Sequence, residues 1–286
     1  MIAYISREFK GSSHLIDDVE HWKNNSPNEV IVTSSKWKTL FYSNKQKVFF
    51  GFNERKILFL VITVALSRRN IYLLLTNNLA KGRQAKIKLI YWGLKYLSKV
   101  NFIIHSEYEK KFLKSLGVPD FRIKIRPHWL LIKNSFRNSA FREHDVAFFG
   151  PVKIDKDIIG FNDFFDLKIP FKSILAVKLN SCFGDHLNVT RVDAKLDRKE
   201  WLDLFRSSKL VFIPLNLGYE GKLSGIFMDS ISCGCQVIIS NIEPYRTMVN
   251  FDRTVKILNK KYIHIQRPEK HTVNEEYVRT FYANYE

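Results

Sequence analysis

The chain has 286 residues, 45% hydrophobic and 26% charged, enough to bury one large core or two ordinary ones and incompatible with a disordered or fibrous polypeptide. Its net charge of +18 is unevenly placed: residues 1–144 hold 26 Lys and Arg against 10 Asp and Glu, whereas residues 145–286 hold 20 against 18. The basic first half calls for an anionic partner, and nucleic acid, an anionic membrane face and a phosphorylated acceptor are the candidate classes.

The first half alternates short apolar runs with helical patterns, as a parallel sheet covered on both faces requires. Strands are predicted at Ile2–Ser6, Glu29–Thr33, Ile71–Thr76 and Asn101–His105, with a shorter one near Ile123–Arg126. Helices are predicted at His14–Asn24, Glu54–Arg68, Lys81–Lys99 and Glu107–Leu116, the last stopped by Gly117 and Pro119. The polar stretch Lys133–His144 marks a boundary, which divides the chain into a basic domain, 1–137, and a second domain, 138–286. The alternation then restarts, with strands at Asp145–Phe149, Ser173–Leu179, Asn188–Val192, Leu210–Pro214 and Cys235–Ser240. Helices follow at Arg198–Ser207, opened by the capping pair Asp197 and Glu200, and at Ser224–Cys233. A final amphipathic helix, Asn274–Tyr285, is expected to pack back on the first domain.

The opening MIAYISREFKGSSH lacks the basic and apolar regions of a secretory signal, so none is expected. The longest apolar run, Ile57–Leu66, is far below the ~20 residues that span a bilayer. Cys182, Cys233 and Cys235 are odd in number, and the Cys-Gly-Cys spacing is too tight for a zinc knuckle; they read as reduced thiols of a cytoplasmic protein without a metal site.

The pattern becomes specific between Val211 and Ser240. A buried strand runs into a loop with Gly218, Glu220 and Gly221; a helix then begins at Ser224, Gly225 and Ile226, carries Asp229, and ends at Gly234. Glycines before a helix let backbone amides approach an anion, and the helix N-terminus attracts phosphate, so this is a diphosphate-shaped site. Glu220 and Asp229 add carboxylate acceptors for sugar and ribose hydroxyls.

This segment resembles the donor signature of retaining GT-B glycosyltransferases, in which a loop Glu-Gly is followed by a helix bearing a second Glu and a small-residue run ending in Gly. Ser230 to Gly234 match that run, Asp229 matches the second, ribose-binding carboxylate, and Glu220 matches the first with one extra residue between them. VAFFGPVKIDKD resembles the family's opening strand of the nucleotide domain. Lys156 takes the place of its diphosphate lysine, Pro151 stands where the family has Arg, and Lys153 is the substitute cation. In the first domain NFIIHSEYEKKFLKSLGV resembles the family's last strand and helix, with a Ser at the helix start.

The resemblance implies an α/β protein of two Rossmann-like, doubly wound domains facing across a cleft. It also implies metal-independent, retaining transfer from a nucleoside-diphosphate sugar, which is a substrate, so no resident cofactor is expected. Lys156 and Glu220 would act on the reaction, while Lys153, Gly221, Ser224, Gly225, Ile226 and Asp229 would bind the donor. The basic half suggests a lipid-linked glycan acceptor, as in bacterial surface polysaccharide assembly such as capsule or lipopolysaccharide. Lys81–Lys99, with lysines along one face and aromatics at its borders, would touch an anionic membrane peripherally. A nucleic-acid-binding protein is the alternative from another class, although no zinc finger, RNP motif or base-stacking array supports it. A glycosyltransferase-like protein that has lost activity is a second alternative, kept by the missing Arg.

Overall fold

Thirteen short strands and nine helices are assigned within residues 1–5, 13–26, 29–50, 57–75, 90–126, 142–150, 163–178, 188–192, 195–221, 224–243, 245–248 and 255–266, the parts that the computed structural model describes. They fall into two units, one within Met1–Trp129 and one within Leu130–Thr272. Both are Rossmann-like and doubly wound, as the alternating pattern predicts.

The first unit carries β1 (Ile2–Ile5), α1 (Ser13–Asn25), β2 (Ile31–Thr33), α2 (Lys36–Phe41), β3 (Lys47–Phe50), α3 (Ile57–Leu66), β4 (Ile71–Leu74), α4 (residues 90–94), β5 (Val100–Ile104), α5 (Glu107–Ser115) and β6 (Ile123–Ile125). All six strands pair in parallel in the order β2-β1-β3-β4-β5-β6. A strand covered on both faces reads as a continuous apolar run, and β1 and β4 do, as does β5 but for Asn101. Leu40 of α2, Phe59 and Leu60 of α3, Tyr91 and Leu94 of α4 and Leu113 of α5 pack on one face. Val19 and Trp22 of α1 pack on the other.

Three elements of this unit escape the periodicity, and α2 is one, since six residues are too few to show a helical repeat. Strand β3, with the sequence KVFF, lies in the sheet between β1 and β4, yet four residues opening with a lysine show no period. Lys47 is nevertheless buried, because its Nζ donates to the carbonyls of Tyr42 and Lys45 and to Ser67 Oγ at 2.9, 3.1 and 3.1 Å. Burial holds its pKa down at about 8. The helix expected over Lys81–Lys99 lies outside the described residues up to 89 and ends at 94 rather than 99. The chain there tightens into i+3 turns, with Leu97 N–H on the Leu94 carbonyl and Val100 N–H on the Leu97 carbonyl, and the Arg122 guanidinium holds that end by donating to the carbonyls of Leu94, Lys95, Leu97 and Val100.

The second unit carries β7 (His144–Phe149), α6 (Asp163–Asp166), β8 (Ile174–Val177), β9 (Val189–Val192), α7 (Arg198–Arg206), β10 (Ser208–Ile213), α8 (Gly225–Ser232), β11 (Gln236–Ser240), α9 (Tyr245–Met248), β12 (Val255–Ile257) and β13 (Tyr262–Ile265). Its sheet runs β12-β13-β11-β10-β7-β8-β9, parallel except for β13, which is antiparallel to both of its neighbours. The antiparallel pair at the edge has no counterpart among the predicted strands. The final helix expected at Asn274–Tyr285 lies outside the described residues. Among the described residues no helix is long and apolar enough to cross a membrane.

Candidate functional site

In the second sheet the chain winds outward from β7 through β8 and β9, then returns to place β10 on the other side of β7. Such a reversal opens a crevice at the carboxyl ends of the two central strands, where open α/β sheets bind ligands. Both segments singled out in the sequence leave from there. Gly150, its N–H held by the Val177 carbonyl at 2.7 Å, follows β7 and leads toward Lys153 and Lys156, which themselves lie outside the described residues, as does Pro151. Leu215 follows β10 and leads into the loop of Glu220 and the helix of Asp229.

That loop is built by short-range bonds. Leu215 N–H donates to Ser240 Oγ at 2.7 Å, and Asn216 caps a single 3-10 turn, Leu217–Tyr219, by accepting from Gly218 N–H at 3.0 Å. Glu220 closes the turn, half-buried, and Gly221 takes a positive φ of 81° with its N–H on the Glu243 carbonyl at 2.9 Å. A side chain there would be strained, which explains the Glu-Gly pair physically. Ser224 is the N-cap of α8 and accepts from Phe227 N–H at 3.4 Å; its own N–H donates to Tyr245 Oη at 3.0 Å. Tyr245 is fully buried, and burial raises its phenol pKa well above the usual value, so the hydroxyl stays neutral. Gly225 and Ile226 are half-buried at the helix start. The Glu-Gly turn, the capped helix start and the strand end are thus brought together as expected.

Asp229, expected to accept from ribose hydroxyls, is engaged from within the fold. It is 1% exposed, and Arg198 Nη1 and Nη2 donate to its Oδ2 and Oδ1 at 2.9 and 2.7 Å, while Trp201 Nε1 donates to Oδ2 at 2.9 Å. A bidentate guanidinium with an added indole donor engages both oxygens from within the fold. The carboxylate therefore ties α7 to α8, and a ribose would have to displace or share these donors. Arg198 and Trp201 were not among the expected site residues. The Asp197 and Glu200 capping box, which forms as expected, places α7 in the sequence, but no spacing rule links Arg198 to a carboxylate 31 residues away. Trp201 packs edge-on against Phe149 at 5.1 Å, and Phe149 stacks on Phe205 at 3.8 Å, so α7 is packed directly on β7. Cys233 and Cys235 are buried free thiols, and burial pushes Cys233 up to about 11, which removes thiolate chemistry. Among the described residues no group of three His, Cys, Asp or Glu could hold a metal ion.

The first unit has its own polar cluster at the carboxyl ends of β5 and β6. Ser106 caps α5 by accepting from Glu109 N–H at 3.3 Å, and Glu109 Oε2 accepts from His105 N–H at 2.8 Å and Ser106 Oγ at 3.1 Å. His105 Nδ1 carries a proton donated to the Arg126 carbonyl at 2.9 Å, since a carbonyl can only accept. Arg126 pairs with Asp18 at 2.7 Å and lies 4.8 Å over the Trp22 ring, all buried. Burial lowers the His105 pKa to about 4 and raises that of Glu109 to about 7.

These shifts set opposing slopes. Glu109, raised in the folded state, contributes stability that is full below about 4.5 and lost as pH rises to about 7. His105, depressed, contributes stability that is full above about 6.5 and lost as pH falls to about 4. Glu109→Gln keeps an acceptor but cannot ionise, so urea denaturation at a series of pH values should show it gaining on the wild type steadily between pH 4.5 and 7. A constant difference across that range would refute the assignment.

Neither the family models nor the curated proteins yield a match in sequence. Among solved structures the chain is similar to HepE from Anabaena in three complexes. With UDP-glucose the identity is 13% and the TM-score 0.54, over 86% of this chain and 81% of that one. With UDP and glucose, and with UDP alone, the identity is 12% and the TM-scores are 0.55 and 0.59, over 86% of this chain and 82% of HepE. At this identity the likeness is one of fold, and it spans both units.

Proposed function

We propose that this protein transfers a glycosyl group from a nucleoside-diphosphate sugar to a glycan acceptor. The observation that carries the reading is the Glu220-Gly221 turn followed by the Ser224-capped helix α8 at the carboxyl end of β10, where the sheet order reverses. The fold shared with a protein crystallised with UDP-glucose, UDP and glucose supports a uridine nucleotide as the donor's leaving group.

In this reading the free N–H groups of the first turn of α8 face the diphosphate, and Lys156, with Lys153, neutralises the charge that grows on it as the bond to the sugar's anomeric carbon breaks. The acceptor hydroxyl oxygen forms the new bond to that carbon, and its proton passes to the departing diphosphate, which leaves with the nucleotide. Glu220 holds sugar hydroxyls. Asp229 acts by fixing α8 against Arg198 and Trp201. Retention of configuration and independence from a metal follow the GT-B resemblance, and a lipid-linked acceptor of a bacterial surface polysaccharide at the cytoplasmic membrane face follows the basic first half.

A thermal-shift titration tests the donor site, since a ligand that binds only the folded state raises its melting temperature. UDP and UDP-sugars are expected to raise it in a saturable way. Lys156→Ala should lower donor turnover about 100-fold, the scale of losing one charge-stabilising donor, while its own melting temperature without ligand is unchanged. No shift with any nucleoside diphosphate or its sugars would overturn the reading.

A further inference from the structure

Helices α2, α3 and α4 cover the same face of the first sheet, because Leu40, Phe59, Leu60, Tyr91 and Leu94 enter one core. Their outer sides are not polar. On α2, Trp37 is 71% and Phe41 80% exposed, and a spacing of four puts both on one side. On α3, Leu58, Val61, Ile62 and Leu66 are exposed, again on one side of the helix, opposite the buried Phe59, Leu60, Thr63 and Val64. The C-terminal ends of the two helices are tied by Arg68 N–H on the Ser43 carbonyl at 3.0 Å, and Lys36 Nζ of α2 lies 5.7 Å over the Phe59 ring of α3. On α4, which packs on the same face of the sheet, Trp92 and Tyr96 are exposed and flank Lys95, whose Nζ lies 5.2 and 5.1 Å from their ring centres.

Apolar side chains scattered singly over a surface need no explanation; a run of them across neighbouring helices marks a docking face. Charge identifies the occupant. From Val30 to Ser106 the chain has 14 Lys and Arg and one acidic residue, Glu54. Lys36 and Lys38 flank Trp37, and Arg68 and Arg69 follow Leu66, all of them exposed. A second copy of the same face would bring these cations together, and a nucleic acid would leave the aliphatic residues of α3 without a partner. An anionic bilayer surface accepts both, taking rings and aliphatic chains at headgroup depth and cations at its phosphates.

We propose that the outer faces of α2 and α3 form the docking surface of this protein for an anionic membrane leaflet. Trp37, Phe41, Leu58 and Ile62 insert, while Lys36, Lys38, Arg68 and Arg69 contact lipid phosphates. The inference rests on the reading of a membrane-linked acceptor for its purpose, but the surface binds without donor, so the two can fail separately.

Co-sedimentation with phosphatidylcholine vesicles, with and without phosphatidylglycerol, is the test. The wild type is expected to bind only the anionic vesicles, and less as salt rises. Trp37→Ser with Phe41→Ser should weaken binding at least ten-fold on the same vesicles. Lys36→Glu with Lys38→Glu should weaken it by roughly five-fold or more per residue, since each basic residue near a lipid surface contributes about that factor. All four residues are exposed, with Lys36 Nζ over the Phe59 ring, so Trp37→Ser with Phe41→Ser should melt like the wild type, Lys36→Glu with Lys38→Glu close to it, and both should respond to UDP as the wild type does. Equal recovery on neutral vesicles, or unchanged binding by Trp37→Ser with Phe41→Ser, would overturn the proposal. So would a dimer, seen by sedimentation velocity, that this variant converts to monomer with no loss of vesicle binding, since the face would then belong to a second copy. If UDP shifts no form of the protein while the vesicle results hold, the donor reading fails and the docking surface stands.

Discussion

Arg198→Met is expected to destabilise the second unit by about 3–5 kcal/mol, more than loss of its partner, Asp229→Ala, at about 1–3 kcal/mol. The asymmetry follows from burial. The Asp229 side chain is 1% exposed and that of Arg198 26%. Removing the cation takes both guanidinium donors from a carboxylate that is almost wholly buried; removing the carboxylate leaves a guanidinium that can turn to solvent. The pair should couple in a double-mutant cycle, with the double substitution less harmful than the sum. Urea denaturation followed by Trp fluorescence reads this directly, because Trp201 sits in the network. An Arg198→Met loss no larger than that of Asp229→Ala would show that the pair is surface-like and would reopen Asp229 as a donor ligand.

Arg122→Met should cost the first unit about 3–5 kcal/mol. One side chain donates to the carbonyls of Leu94, Lys95, Leu97 and Val100, at the crossing from α4 into β5; Leu94 and Leu97 keep the backbone donors Leu97 N–H and Val100 N–H, so the loss falls on the Lys95 and Val100 carbonyls, at about 1–3 kcal/mol each before relaxation. Arg122→Lys should recover little, since a single ammonium cannot reproduce the fork that spans these carbonyls. Hydrogen exchange should locate the damage in Val100–Ile104, with β1 and β2 less affected. Uniform protection in the variant would sink the clamp.

How much of this was legible beforehand varies by element. The long apolar runs of β4, β5, β10 and β11 announce a sheet buried on both faces, and the Asp197 and Glu200 pair announces the start of α7, because these signals are local. Strand β3 was not legible, since its burial depends on Lys47 finding three acceptors contributed by residues 42, 45 and 67. The end of α4 was equally hidden: Arg122 holds it from 28 positions away.

The segment from Leu215 to Ser232 divides in the same manner. Gly221 needs positive φ and Ser224 caps a helix, and both properties belong to a few consecutive residues, so the sequence by itself determined the turn, the helix start and the alternation that makes two doubly wound units. The charge asymmetry was likewise a property of the chain alone. Only the tertiary structure decided that Asp229 is engaged by Arg198 and Trp201, that Tyr245 secures the Ser224 amide, and that Trp37, Phe41 and the outer side of α3 share one surface. Those outcomes depend on which distant side chains a fold brings within hydrogen-bond or van der Waals reach, and no local spacing encodes that distance.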